Sequence, residues 1–400
     1  MRTPRNREPA DQIDNRLRSF RTAKGLSQGA LAGMAGVTRQ AVWAIEANQY
    51  LPTTAVALRL AHALGTRVED LFNLITAGDL IEGEWIGAAR RGVDGSSPER
   101  VKVARVGNRL LVRPLAGLGD VLNFTVPADG LLMPQSTVSR STGRKASRVQ
   151  VRLLRDRQTI DKEVVVAGCD PAIFLLGEYL RRRRDQASVV GWPMGSAAAV
   201  DALKRGEVHV AGLHIVDPKS GESNLPYLRT HLRGLDVTVI TFASWEQGLM
   251  IRAGNAKGIR GVNDLARRDV AIVNRENGAG ARFLLDRCLN VSGIPARRVR
   301  GYDRVASSHV EVARLVGVGQ ADVGIGVRSA ARLLGLEFIP LQEERYDLVI
   351  PTAFLSLHPT VSMFLDTLVS RTFRTEIEAL GGYDTRETGR VLDWQRAQRP

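Results

Sequence analysis

The chain has 400 residues, too many for one compact core, so two or three domains are expected. Lys plus Arg (56) exceeds Asp plus Glu (42) by 14, which favours a polyanionic partner through phosphate neutralisation, although runs such as Arg181 to Arg184 equally suit a solvated helix face. The sequence holds no run of about 18 apolar residues and no apolar segment behind its basic start, so it lacks the signature of a membrane span or a signal peptide.

A soluble, cytoplasmic protein is therefore expected, with residues 1–11 as a disordered arm. Cys169 and Cys288 offer neither a disulfide framework nor a metal-ligand spacing, and the six histidines are scattered, so no metal is expected.

Residues 12–74 carry the strongest local signal. Two short apolar-periodic segments, 28–34 and 38–47, flank Gly36-Val37, and Ser27 and Thr38 stand where helix N-cap hydroxyls are needed. This is a helix-turn-helix pattern, with Gly36 supplying the unusual dihedrals of the turn. The second helix carries Arg39 and Gln40 early on its outer face, residue types that pair with guanine or adenine edges, followed by Trp43. Gln28, Thr38 and Asn48 complete the expected DNA-contacting set. The segment from Arg16 to Leu71 resembles the Cro/repressor-type helix-turn-helix family. The resemblance is carried by Leu17 to Arg21 (L-x-x-x-R), LSQGALA, GVTRQAV, IE, a Pro, a helix ending in ALG, and VEDLF. Asn48 stands where many members have Gly, and Asn also tolerates the left-handed conformation. The resemblance implies five helices and binding to double-stranded DNA as a homodimer.

From residue 75 to 163, short β-branched runs (VKVARV, RLLVRPL, VLNFTV, VQVRLL) are broken by Gly, Pro and Ser clusters. They predict a small β-rich connector, with STVSRSTGRKAS as a solvated, cleavable stretch. An irregular tether is the alternative.

Residues 164–385 alternate apolar strands with amphipathic helices, the pattern of an α/β domain with a mainly parallel sheet, and residues 386–400 read as a tail. Two successive sets of such units, with separate strands expected at VTVITFA and GLMIRAG, suggest a clamshell. Gly195 to His214, Trp245 to Asn255, Asn274 to Asp286, Gly301-Tyr302, SSHVEVARLVGVGQADVGIG and ERYDLVIP together resemble the type-2 periplasmic-binding-protein fold. More narrowly, they resemble the binding-protein-like domain that follows repressor-type helix-turn-helix segments in molybdenum-related regulators. The resemblance implies a small oxyanion ligand, molybdate or tungstate. A larger pterin-containing cofactor is the alternative within the class. Glu276 and Ala281 depart from the Gln and Thr frequent in the family, and Ala281 lacks a hydroxyl donor.

Two loops have a physical reason to hold an anion. Gly195 and Ser196 open one helix, and Asn274 to Arg282 (with Arg275, Gly278, Gly280 and Arg282) opens another; each presents unpaired N–H groups at the positive end of a helix dipole. Cys169 and Asp170 follow the first strand, where such folds bind ligands, although Asp170 also suits a helix cap. Glu246 and Gln247 follow an expected inter-lobe strand, Tyr227 and Tyr302 are phenol donors, and His209, His214 and His309 read as core or surface residues. An enzyme is the rival class. Neither cysteine has a recognisable base beside it in sequence and no phosphate-loop motif is present, so catalytic residues are not expected.

Overall fold

The computed structural model describes residues 13–74, 80–86, 99–115, 126–133, 147–182 and 187–394. Residues 1–11 and the stretch 136–146 of the connector, for which sequence predicts an arm and a flexible segment, lie outside them. The chain forms two compact units that part at Asp161 and Lys162.

The first unit opens with β1 (Ile13–Asn15), then α1 (Leu17–Ala23), α2 (Gln28–Ala35), α3 (Arg39–Glu46), α4 (Thr54–Leu64), α5 (Val68–Leu71) and β2 (Phe72–Leu74). Ser27, Thr38 and Thr53 accept hydrogen bonds from Ala30, Ala41 and Val56, so α2, α3 and α4 each start on a hydroxyl cap, the first two as the sequence placed them. Gly36 ends α2 in the left-handed region at φ 61°. Leu17, Leu31, Val42, Ile45, Leu60 and Leu64 fill the core. Sequence did not anticipate that β1 and β2 pair antiparallel. Asn15 Nδ2 donates to the Ile45 carbonyl at 2.5 Å and to Asn48 Oδ1 at 2.8 Å, which ties the first strand to the end of α3.

The two polar motif positions find each other. Arg21 pairs with Glu46 through Nε to Oε1 at 2.6 Å and Nη2 to Oε2 at 3.1 Å, both side chains being largely buried, while Arg21 Nη1 donates to the Leu26 carbonyl.

The connector is a closed five-stranded barrel in the order β3-β5-β4-β6-β7. Its strands are β3 (Leu80–Trp85), β4 (Glu99–Val106), β5 (Arg109–Pro114), β6 (Gly130–Leu132) and β7 (Arg148–Leu153), followed by α6 (Arg157–Asp161). A paired-strand linker becomes a barrel because β3 bonds to β5 on one side and β7 on the other. Val101, Val103, Val112, Val149 and Val151 fill the interior, and the buried Lys102 Nζ sits 2.6 Å from Asp129.

The second unit has one ten-stranded sheet with the order β13-β12-β14-β11-β15-β10-β8-β9 and two short strands added to β11. Its first lobe contains β8 (Val164–Gly168), α7 (Ala172–Arg181), β9 (Val189–Pro193), α8 (Ser196–Lys204), β10 (Val210–Leu213) and α9 (Leu225–His231). The long β11 (Val237–Ile251) crosses to the second lobe, which holds β12 (Ile272–Arg275), α10 (Gly280–Val291), β13 (Val305–Ala306), α11 (His309–Gly317), β14 (Val323–Val327) and α12 (Arg328–Leu333). β15 (Glu337–Pro351) returns, and α13 (Thr352–Leu357), α14 (Pro359–Leu368), α15 (Arg371–Leu380), β16 (Tyr383–Asp384) and β17 (Val391–Leu392) close the first lobe. The strands expected at VTVITFA and GLMIRAG are one strand, because β15 pairs with β11 along its length. The tail expected from residue 386 is also corrected: β17 pairs with β11, and Trp394 Nε1 donates to the Val237 carbonyl at 2.7 Å.

Two predictions follow from this packing. Glu46→Ala leaves the buried Arg21 guanidinium without its carboxylate and should destabilise the helical domain by about 3 kcal/mol, read as faster hydrogen exchange across α1 to α4; unchanged exchange would remove the pair from the stability of the domain. In the second unit, the buried His209 ring lies 4.6 Å from that of His358, centroid to centroid, and burial depresses both rings, His358 from 6.5 to about 4. A depressed histidine stabilises the fold above its unfolded value, so stability should fall as pH drops from 6.5 toward about 4. His358→Gln should flatten that slope in thermal melts.

Candidate DNA-reading face and interlobe site

On α3, Arg39, Gln40 and Trp43 are all exposed, Trp43 at 50%, and Thr38 caps the helix from below them. They form one outward face early in the second helix. Gln28 differs from expectation in part, since its Nε2 donates to Glu46 Oε2 at 2.9 Å and so extends the Arg21–Glu46 network. Asn48 takes the left-handed conformation at φ 55° with its Oδ1 held by Asn15.

In the second unit, the parallel strands β8 and β10 end side by side, which places Cys169 and Asp170 next to His214. Ser196, at the start of α8, accepts from the His214 N–H at 3.1 Å. Asp170 Oδ1 accepts from the Ala172 N–H at 2.8 Å and from the Tyr383 hydroxyl at 2.7 Å, and so serves the first N–H of α7 from one residue before its N-cap, Pro171. Burial raises its carboxyl to about 6, against those hydrogen bonds.

The long strands supply the next layer. Trp245 stands opposite Glu344 in the β11–β15 register, so Trp245, Gln247, Glu344 and Tyr346 share one face, and all four are buried. Glu344 Oε2 is 2.7 Å from His214 Nδ1 and 3.0 Å from Gln247 Nε2. Burial alone would lower the His214 ring, but Cys169 and Glu344 raise it, to about 10. Glycine is required beneath Tyr346, because a Cβ on Gly212 would come within 2.0 Å of its hydroxyl. Residues His214, Trp245, Glu344 and Tyr346 are not separable from ordinary strand positions in sequence; the pairing that gathers them is long-range.

From the second lobe come Asn274, Arg275 and His309, all buried. Arg275 bonds to Glu276 at 2.8 Å through Nε and Nη2, and its Nη1 is unpartnered. Asn274 is occupied by the Arg275 N–H and the Tyr302 carbonyl. His309 begins α11, and neither of its ring nitrogens has a partner. Burial, then Arg275 and His214, hold its ring well below the ordinary histidine value.

The two helix starts meet. The Ala197 N–H donates to the Gly278 carbonyl at 3.0 Å, Gly195 packs on Ala279, and a Cβ on Gly280 would strike the His214 carbonyl at 1.9 Å. One N–H of the α8 start is thus taken by the other loop, and the start of α10 backs onto His214. Arg282 is held by Asp286 at 3.1 Å and lies over the Tyr302 ring, and Glu246 pairs with Arg328, so neither points a free charge at the cleft. Tyr227 stacks on His231 instead.

The protein YvgK of Bacillus subtilis is 33% identical over 229 residues, covering 57% of this chain and 73% of YvgK. The chain belongs to the YvgK family. Within this YvgK-family chain, the model of a PBP superfamily domain matches residues 177–369 and that of a helix-turn-helix matches residues 17–71. The helix-turn-helix transcriptional regulator YgzD, also of Bacillus subtilis, is 40% identical over 60 residues, 15% of this chain and 91% of YgzD. Among solved structures, the sulfate-binding protein SubI of Mycobacterium tuberculosis aligns over 56% of this chain and 86% of its own, with 14% identity and a TM-score of 0.41. The protein thus joins a DNA-binding helix-turn-helix to a binding-protein-like domain. Among the described residues, no helix is long and apolar enough to cross a membrane.

Arg39→Ala should cost about 1–3 kcal/mol on a cognate duplex and relax its sequence preference, measured at fixed salt against a scrambled duplex. Unchanged discrimination would take Arg39 off the reading face.

Proposed function

We propose that the protein is a one-component transcription regulator that binds DNA as a homodimer and responds to a small oxyanion held between the two lobes of its second unit. One observation carries the ligand site. Arg275 Nη1, Trp245 Nε1 and both ring nitrogens of His309 are buried polar atoms without partners, and the Trp245 and His309 rings lie 6.0 Å apart. Buried polar groups left unmatched cost about 1–3 kcal/mol each, so a cluster of them marks a place where a ligand completes the hydrogen bonding. The donors include a guanidinium, which suits an anion.

The effect on DNA would follow from population shift. A ligand that touches both lobes favours the conformation in which its groups converge, and a dimer must match two half-sites about one helical turn apart. The reading is one of binding, with no turnover of the ligand.

Molybdate or tungstate at 100 times its dissociation constant should raise folding stability by about 2.7 kcal/mol, detected as a thermal shift, with sulfate weaker because of its smaller size. Trp245→Phe, which removes the indole N–H and keeps an aromatic ring, should weaken that binding several-fold, and the ligand should alter the affinity of the full chain for operator DNA. Absence of a shift with every oxyanion would sink the oxyanion and leave the DNA-binding domain as it stands.

A further inference from the structure

We propose that Cys169, His214 and His309 form a binding site for a transition-metal ion of the zinc type, with Glu344 as a positioning residue. Each of the three offers a ligand atom, these atoms lie within 4.8 Å of one another, and all three side chains are buried. A thiolate with two imidazoles is a donor set that selects zinc, cobalt or copper over magnesium and calcium.

Two further observations point to a ligand here. His309 is 1% exposed with both ring nitrogens unpartnered, an arrangement that costs stability unless something binds. His214 is already oriented as a metal ligand, because its Nδ1 lies 2.7 Å from both Glu344 Oε2 and Gln247 Nε2, which leaves Nε2 as the nitrogen for the ion. A carboxylate behind a ligating histidine is the usual device for fixing the ring. Bonds of roughly 2.0–2.3 Å around a tetrahedral ion would set the donors about 3.5 Å apart, so the three residues need to draw in only slightly. Binding converts the thiol to a metal thiolate and releases its proton to solvent.

The site spans the cleft. Cys169 and His214 follow β8 and β10 of the first lobe, whereas His309 opens α11 of the second, so an ion held by all three would clasp the lobes together. His309 can ligate through one nitrogen and still donate from the other, which makes the ion compatible with an oxyanion beside it. Metal binding itself does not depend on the oxyanion; only its consequence for DNA rests on the regulatory reading above.

Reduced, chelator-treated full-length protein titrated with Co(II) tests the site. One equivalent should bind with a thiolate-to-cobalt charge-transfer absorption, Cys169→Ser should abolish that absorption, His309→Ala should weaken affinity at least tenfold, and Cys288→Ser should change nothing. An absorption that survives Cys169→Ser, or none in the parent protein, overturns the proposal. Should Cys169→Ser fail to fold by circular dichroism, Glu344→Gln decides. A 10- to 100-fold loss supports the site, and unchanged affinity overturns it. A molybdate thermal shift measured on the same metal-free protein reports separately on the oxyanion.

Discussion

The pairing of β11 with β15 is the constraint on which the second unit depends. Each strand has 15 residues, and the pair runs from the first lobe into the second, so the two lobes share a continuous hydrogen-bonded ladder. Because side chains alternate between faces, the register that puts Trp245 opposite Glu344 also sets Gln247 and Tyr346 on the same side. A slip of one residue in β15 would turn Glu344 and Tyr346 away from Cys169 and His214. Register shifts occur between Thr241 and Ala243 and again between Gln247 and Gly248, on either side of this group, where the strand passes between lobes.

Around this ladder the polar groups are arranged at a cost that packing does not require. Apolar residues such as Val273, Val312, Leu348 and Phe364 fill a core that reaches into both lobes. A stable fold could have continued that core through positions 214, 247, 309 and 344. Instead there is a histidine held by a carboxylate, an amide with an unpartnered oxygen and a histidine with no partner at all. Burial without compensation is unfavourable for the unpartnered oxygen and imidazole, which favours the proposed ligand over a purely structural role.

The helical domain shows the opposite economy, with polar groups fully used. Arg21, Glu46 and Gln28 form one network joining α1, α2 and α3, and the exposed residues Arg39, Gln40 and Trp43 stand clear of it. Motif positions conspicuous in sequence thus divide into two kinds. Some hold the helices at their angle, and others face outward.

What sequence alone determined were the features set by neighbours in the chain. Ser27 and Thr38 each bond to an N–H three residues on, Gly36 turns the chain at its own dihedrals, and alternating strands and helices announce an α/β unit before any contact is known. The expected site at Gly195-Ser196 and Gly278-Gly280 was legible as two helix starts, yet that the two loops come into contact, through the Ala197 N–H and the Gly278 carbonyl, depends on how the two lobes pack. Glu344 is 130 residues from His214, and His309 reaches Cys169 only through the packing of α11 against the shared sheet. The barrel likewise needed β3 to find both β5 and β7. Local capping and periodicity are written within one or two turns of chain, whereas strand register and the meeting of side chains from different lobes are settled by tertiary packing, which no short window of sequence records.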